Sequence, residues 1–246
     1  WWPLSRKSHP KQFARVFGQQ SLFQQSLSRV TSSELLSFNS PITVTSDEYR
    51  FVVAEQLHAQ GINPEHILIE PEGKNTGPAI LASCFYALAQ DPNAILFVAP
   101  SDHVIPDLFD LHTAVNKGLG EIEKGQIVTF GVKPERPETG YGYLELEQKA
   151  SDNPVKLKRF VEKPDRQTAE KMFATGRYLW NAGLFLFRAS DVVDAFHKHA
   201  PDLVEPTFHS VKLGCTDFGF WRLDPTSWDN CETISFDYAI LEKINN

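Results

Sequence analysis

Hydrophobic positions along this chain alternate between two periods. Short apolar runs of strand length occur at 66–71 (His66-Ile67-Leu68-Ile69-Glu70-Pro71), 94–99 and 127–131, and a shorter one at 41–45. Between them, apolar residues recur every three to four positions, as on one face of a helix. Leu22, Phe23, Ser26, Leu27 and Val30 predict a helix over 21–30, with Ser21 at its N-cap. Thr45-Ser46-Asp47-Glu48 has a hydroxyl followed three residues on by Glu, the pattern of a capping box. It predicts a helix to about Gln60, with Val53 and Leu57 on one face and Gly61 as its stop. Asn75 or Thr76 is placed to cap a helix running to about Gln90, with Pro78 in its first turn. A further helix is predicted over 109–124. Strand and helix in alternation are the mark of βαβ units, so the fold class is α/β with a mixed, mostly parallel sheet flanked by helices.

The pattern changes after Gly131. Two prolines and two glycines fall in Lys133–Gly142, before an alternating strand at 143–147. A strand over 155–161 ends in Glu162-Lys163-Pro164, and a helix over 168–174 stops at Gly176. Asn181-Ala182-Gly183 reads as a loop before an apolar strand at 184–187, and Ser190 as the cap of a helix to about His199. Residues 200–230 carry three prolines and no clear period, and 236–244 predicts a terminal helix. With no internal repeat and no low-complexity linker, a single domain with a more irregular second half is expected.

Charge narrows the function classes. The 246 residues hold 24 Lys and Arg against 31 Asp and Glu, a net charge of −7. A general nucleic-acid binder would show a basic excess instead. The apolar runs fall far short of the ~20 residues of a membrane helix. The three cysteines form no C-x-x-C pair, which fits a reducing cytosol and a cytoplasmic protein. The eight histidines show no metal-ligand spacing, and His197 and His199 read as surface residues.

Candidate chemistry gathers where strands end. The run at 94–99 is followed by Pro100-Ser101-Asp102-His103. In an open α/β sheet ligands sit beyond the carboxyl ends of strands. A carboxylate there suits a hard divalent cation that also bridges phosphates. The plainer alternative is that Asp102 caps a turn. Three further clusters have the same dual reading: a basic loop with Arg6 and Lys11; Glu70-Pro71 with Asn75-Thr76; and Gly140-Tyr141-Gly142, Glu162-Lys163-Pro164 and Trp180-Asn181-Ala182-Gly183. Lys11 can be a solvated charge, Asn75 a helix cap, Gly142 a turn residue, Trp180 core packing and Glu162-Lys163 an exposed pair of little energetic weight.

The order of these clusters resembles the mannose-1-phosphate guanylyltransferases, within the sugar-nucleotide pyrophosphorylase group. The matching stretches are Trp2-Pro3-Leu4-Ser5-Arg6, Pro10-Lys11-Gln12-Phe13, Glu70-Pro71 with Lys74-Asn75-Thr76-Gly77-Pro78-Ala79, and Pro100-Ser101-Asp102-His103. Pro137-Glu138-Thr139-Gly140-Tyr141-Gly142-Tyr143, Phe160-Val161-Glu162-Lys163-Pro164, Trp180-Asn181-Ala182-Gly183 and Ser235-Phe236-Asp237-Tyr238-Ala239 continue the series. The resemblance implies a Rossmann-like nucleotide-diphospho-sugar transferase fold. It implies nucleotidyl transfer from GTP to mannose 1-phosphate, giving GDP-mannose and pyrophosphate, with Mg²⁺ as cofactor. By the same resemblance Lys11, Arg6 and Asp102 are catalytic, and Asp102 is the metal ligand. Lys11, Glu70, Asn75, Thr76, Ser101 and Asp102 bind the nucleotide, while Gly142, Glu162, Lys163 and Asn181 bind the sugar phosphate. The partners expected are these small molecules, with neither nucleic acid nor membrane, and a homo-oligomer is compatible.

The family pattern is not matched throughout. Its members begin with a strand and a G-G-x-G-x-R loop before W-P-L-S-R, and carry a second metal-binding acid in a W-x-D-x-G-x-W stretch past the D-Y-A helix. The expectation is therefore a nucleotidyltransferase domain over 1–246 without its N-terminal strand, its glycine-rich loop and its C-terminal end, with weak or no turnover. Lys74 stands where Arg is usual and Gly77 where Ala is usual. Two alternatives follow: a catalytically impaired sugar-nucleotide-binding or regulatory chain, and a pyrophosphorylase for another base or sugar.

Overall fold

The structure is a computed structural model that describes residues 10–15 and 18–244. In chain order the elements are α1 (Leu22–Leu27), β1 (Thr43–Ser46), α2 (Arg50–His58), β2 (Ile67–Glu70), α3 (Thr76–Leu88), β3 (Ile95–Val98), α4 (Leu108–Ile122) and β4 (Val128–Val132). They continue with β5 (Tyr143–Leu146), β6 (Leu157–Val161), α5 (Arg166–Thr175), β7 (Tyr178–Arg188), α6 (Ala189–His199), α7 (Val204–Lys212), β8 (Cys215–Asp217), β9 (Phe220–Arg222) and α8 (Pro225–Asp229). A π-helical turn, Asp237–Leu241, leads into α9 (Glu242–Ile244). Contacts divide the chain into two units: residues up to 73 with 99–116 and 206–231, and residues 74–98 with 117–205 and 232 onward. Among the described residues no helix is long and apolar enough to cross a membrane.

The first unit is built on a four-stranded sheet in the order β1-β2-β9-β8. β1 and β2 pair in parallel, as do β2 and β9, while β8 and β9 form an antiparallel hairpin. The hairpin turns through Phe218 and Gly219, both at positive φ, the geometry that matches strand twist in a two-residue turn. α2 lies against β1 and β2. The core joins Phe13, Phe23 and Leu27 to Val53, Leu57, Ile67, Ile69 and Phe220, so the apolar faces of α1 and α2 are spent on the sheet.

The second unit is built on a five-stranded sheet, β3-β7-β5-β6 with β4 also on β7, and its pairings are antiparallel. α5 and α6 pack against β7, and α3 against α6. Tyr143, Trp180, Ala169 and Met172 form one core cluster. Phe236, fully buried, contacts the rings of Phe185, Phe187 and Phe196. Trp180 is thus a packing residue, as its plainer reading had it.

The α/β class with mixed sheets flanked by helices is as expected, but among the described residues parallel pairing is confined to β1-β2-β9. Several local expectations also need correction. The box at Thr45–Glu48 does not cap α2: Ser46 makes no side-chain cap, residues 47–49 form a 3₁₀ turn and α2 starts at Arg50. Asp47 is drawn into ion pairs with Arg50 (2.9 Å) and Arg222 (2.5 Å) instead. The reciprocal capping box is at Ser21 and Gln24 of α1. Asn181-Ala182-Gly183 is part of β7, where a register shift opposite Thr129–Gly131 and a left-handed Gly183 absorb the irregularity as a bulge. Ser190 is not a cap, because β7 runs directly into α6 with Arg188 at the cap position. Residues 200–230 hold α7, the β8–β9 hairpin and α8, short elements whose period is too brief to read from sequence.

Candidate functional site

In the first unit the polypeptide leaving β3 turns at Pro100–His103 and presents Asp102. Its Oδ2 lies 2.7 Å from Lys11 Nζ, and its Oδ1 is 3.8 Å from His103 Nε2. Burial works to raise the Asp102 carboxyl, but the hydrogen bond and charge of Lys11, then the charge of His103, outweigh it and hold it below its usual range. Both partners remain about one-third exposed, so the pair is open to a ligand.

Beneath this turn sits Arg29, a residue the sequence reading did not single out. It is 1% exposed, and its guanidinium donates to Pro100 O (2.8 Å) and to His103 O, one acceptor on each side of Asp102. Burial lowers its pKa, partly countered by the charge of Asp102. The Arg29 carbonyl in turn accepts from His112 Nε2 (3.0 Å), while His112 Nδ1 lies 2.9 Å from Ser33 Oγ. A carbonyl can only accept, so Nε2 carries the proton, and in the neutral ring Nδ1 accepts from the serine hydroxyl. An Arg in the 3₁₀ turn Ser28–Val30 that follows α1 carries no local signal of this role.

Glu70 ends β2, and Ser101 lies in the turn beside Asp102, half-buried. Burial pushes the Glu70 carboxyl up to about 7, and no hydrogen-bond donor meets it among the described residues. Arg6 lies outside the described residues, as does the Trp2–Arg6 stretch.

The second unit brings Gly142, Glu162, Lys163 and Asn181 together. Lys163 Nζ is 2.8 Å from Glu162 Oε1, an ion pair that raises the lysine pKa through the hydrogen bond and the carboxylate charge. Lys163 sits at φ 38°, an uncommon backbone state for a residue with a side chain. A Cβ on Gly142 would lie 2.8 Å from the Phe160 ring and 2.9 Å from Glu162 Oε2, so only glycine leaves Glu162 its place. The Gly142 carbonyl accepts from Asn181 N (2.8 Å). Asn181 Nδ2 donates to Asp237 Oδ1 (2.7 Å), a second residue without an assigned role from sequence. Desolvation, then the charge of Glu162, raises the Asp237 carboxyl.

Asn75 and Thr76 open α3 in the same unit. Asn75, at φ 67°, caps the helix by accepting from Thr76 N (2.8 Å). Thr76 Oγ1 accepts from Phe236 N (2.9 Å), and Gly77 N donates to Ile234 O (2.9 Å). The cap reading of Asn75 is therefore realised, and its amide nitrogen meets no acceptor among the described residues.

Asp102 is the residue whose chemistry suits a divalent metal. Mg²⁺ takes one or two carboxylates and completes its octahedron with substrate phosphates and water. A single one-third-exposed carboxylate in the turn after β3, held by Lys11, fits that requirement.

The nucleotidyl transferase family matches residues 1–222. The xanthan biosynthesis protein XanB of Xanthomonas campestris pv. campestris (strain B100) is 41% identical over 242 residues, 98% of this chain and 51% of that protein. A mannose-1-phosphate guanylyltransferase of Klebsiella pneumoniae is 36% identical over 245 residues, again 98% of this chain and 51% of the relative. The chain spans about half the length of these curated relatives. A crystal structure described as mannose-6-phosphate isomerase from Helicobacter pylori superposes with a TM-score of 0.85 at 31% identity, covering 97% of this chain and 90% of that one. With the family match running from residue 1 to residue 222 and the α/β fold shared with a solved relative, the chain belongs to the nucleotidyl transferase family.

Proposed function

We propose that this chain transfers a guanylyl group from GTP to mannose 1-phosphate, giving GDP-mannose and pyrophosphate. The observation that carries the reading is the Lys11–Asp102 pair presented beyond β3, in a chain 36% identical to a mannose-1-phosphate guanylyltransferase. In the reaction an oxygen of the sugar phosphate forms a bond to the α-phosphorus of GTP. The bond from that phosphorus to the bridging oxygen breaks, and pyrophosphate leaves with the electron pair. Two anions must approach each other, so catalysis rests on positioning and charge neutralisation rather than on a general base. Lys11 neutralises nucleotide phosphate. Asp102 would hold Mg²⁺, whose contribution is Lewis-acid polarisation of the phosphates. Glu70, Ser101, Asn75 and Thr76 contact the nucleotide, and Arg6 adds positive charge. Lys163 takes the phosphate of the sugar, while Glu162, Asn181 and the Gly142 backbone take ring hydroxyls. The Helicobacter protein is described as an isomerase, but the nucleotidyl transferase match over residues 1–222 favours group transfer. Cys84, Cys215 and Cys231 form no disulfide among the described residues, which supports a reducing, cytoplasmic setting.

The test is pyrophosphate release with GTP, mannose 1-phosphate and Mg²⁺, set against ATP, UTP and dTTP, alongside calorimetric titration with GDP-mannose. Asp102→Asn should abolish whatever release the protein supports and leave folding intact, since a one-third-exposed ion pair contributes only about 1 kcal/mol or less. A protein that neither releases pyrophosphate nor binds GDP-mannose refutes the proposal.

A further inference from the structure

The geometry points to Asp237 as a specificity-determining positioning residue that acts through Asn181; the inference rests on the guanylyltransferase reading above. The side-chain amide of Asn181 is held from both ends. Its Oδ1 accepts from Gly183 N (3.1 Å) and from Thr129 Oγ1 (3.2 Å), and its Nδ2 donates to Asp237 Oδ1 (2.7 Å). A backbone N–H can only donate and a carboxylate can only accept, so the amide has one allowed orientation. Its second Nδ2 hydrogen has no partner among the described residues and can donate to a ligand. A sugar hydroxyl placed there accepts from this hydrogen, and Asp237 fixes where the hydrogen points.

Asp237 is itself held firmly. It starts the π-helical turn, a rare geometry that recurs at functional sites. The residue before it, Phe236, is fully buried against Phe185, Phe187 and Phe196 and is tied by its N–H to Thr76 Oγ1. Charge divides the labour further. Asp237 and Glu162 are anionic groups whose fields overlap, and both act on Lys163. The two acids repel phosphate, so the sugar phosphate is oriented with its anion toward Lys163 and its ring toward Asn181. The ligand class is a hexose 1-phosphate with a free hydroxyl at this point of the ring.

Three proteins, wild type, Asp237→Ala and Asp237→Asn, separate this role from a structural one. Mannose 1-phosphate and GTP are each titrated into the full chain by calorimetry, and thermal unfolding is recorded. Asn at 237 keeps an oxygen that can accept from Asn181 Nδ2, whereas Ala does not. Asp237→Ala should weaken mannose 1-phosphate about tenfold and GTP less than about twofold, with Asp237→Asn recovering most of the loss. The Asn181 side-chain amide resonance should lose its hydrogen-exchange protection in Asp237→Ala alone. Equal weakening of both ligands, or unchanged mannose 1-phosphate binding in Asp237→Ala, overturns the inference. Failure of the wild type to bind mannose 1-phosphate overturns the guanylyltransferase reading, and the inference with it.

Discussion

Gly77→Ala is the substitution on which family pattern and structure disagree most sharply. Ala is usual at this position in the guanylyltransferases the sequence resembles, and helix propensity favours Ala over Gly, so pattern alone expects a neutral or stabilising change. The structure expects the reverse. A Cβ on Gly77 would lie 2.7 Å from Ile234 O and 3.3 Å from Ile234 Cγ2. The obstacle is a backbone carbonyl, which cannot rotate away. That carbonyl also accepts from Gly77 N at 2.9 Å, so the segment is pinned where the methyl must go. Relief needs a backbone displacement of roughly half an ångström in a close-packed region, an overpacking that costs about 1–3 kcal/mol. The propensity gain offsets at most about 1 kcal/mol of this, and less in the first turn of a helix. A net loss of about 1–2 kcal/mol lowers the thermal midpoint by roughly 2–8 °C for a chain of this size. Circular dichroism on heating measures it, with Gly120→Ala as control. Gly120 is exposed near the end of α4 with nothing within 4 Å of its would-be Cβ, and there Ala should add about 0.5–1 kcal/mol. The displaced segment leads through Phe236 to Asp237, so Gly77→Ala should also weaken mannose 1-phosphate binding. A Gly77→Ala protein as stable as the wild type would refute this account of the 234–236 segment.

Two further predictions concern the first unit. Arg29→Met leaves the carbonyls of Pro100 and His103 without their charged donor, at a cost on the order of 3 kcal/mol by urea unfolding, and GTP binding should fall with it; an unchanged midpoint and affinity would show the turn at Asp102 to be self-supporting. Glu70 binds a proton in the folded chain up to about pH 7 but in the unfolded chain only to about 4.5, so its contribution lowers stability as pH rises from about 4.5 to 7. Glu70→Gln should therefore stabilise the protein at pH 8 by up to about 3 kcal/mol and have little effect at pH 4, and equal effects at both would contradict the buried, unpartnered carboxyl.

Sequence alone determined what depends on neighbours a few residues apart. Ser21 with Gln24, Asn75 before α3 and Gly176 after α5 act within one helical turn, so their caps were legible: Ser21 as an N-cap without its Gln24 partner, Asn75 as one of two candidates with Thr76, and Gly176 in full. The strands that end in Glu70, before Asp102 and in Val161 could be placed from short apolar runs, and so could the polar residues that follow them. Tertiary structure decided what depends on partners far along the chain. Asp47 reads as part of a capping box until Arg222, 175 positions on, claims its carboxylate. Asn181-Ala182-Gly183 reads as a loop until β4 pairs with it across a bulge. Arg29 is an unremarkable basic residue until the chain brings Pro100 and His103, 71 and 74 positions away, onto its guanidinium. Asp237 has a motif but no role until Asn181, 56 positions earlier, meets it. A cap is satisfied by the residues that follow it, whereas a buried charge or a bridging carboxylate has no meaning before the strands find their register, because its energy depends on which distant groups remove it from water.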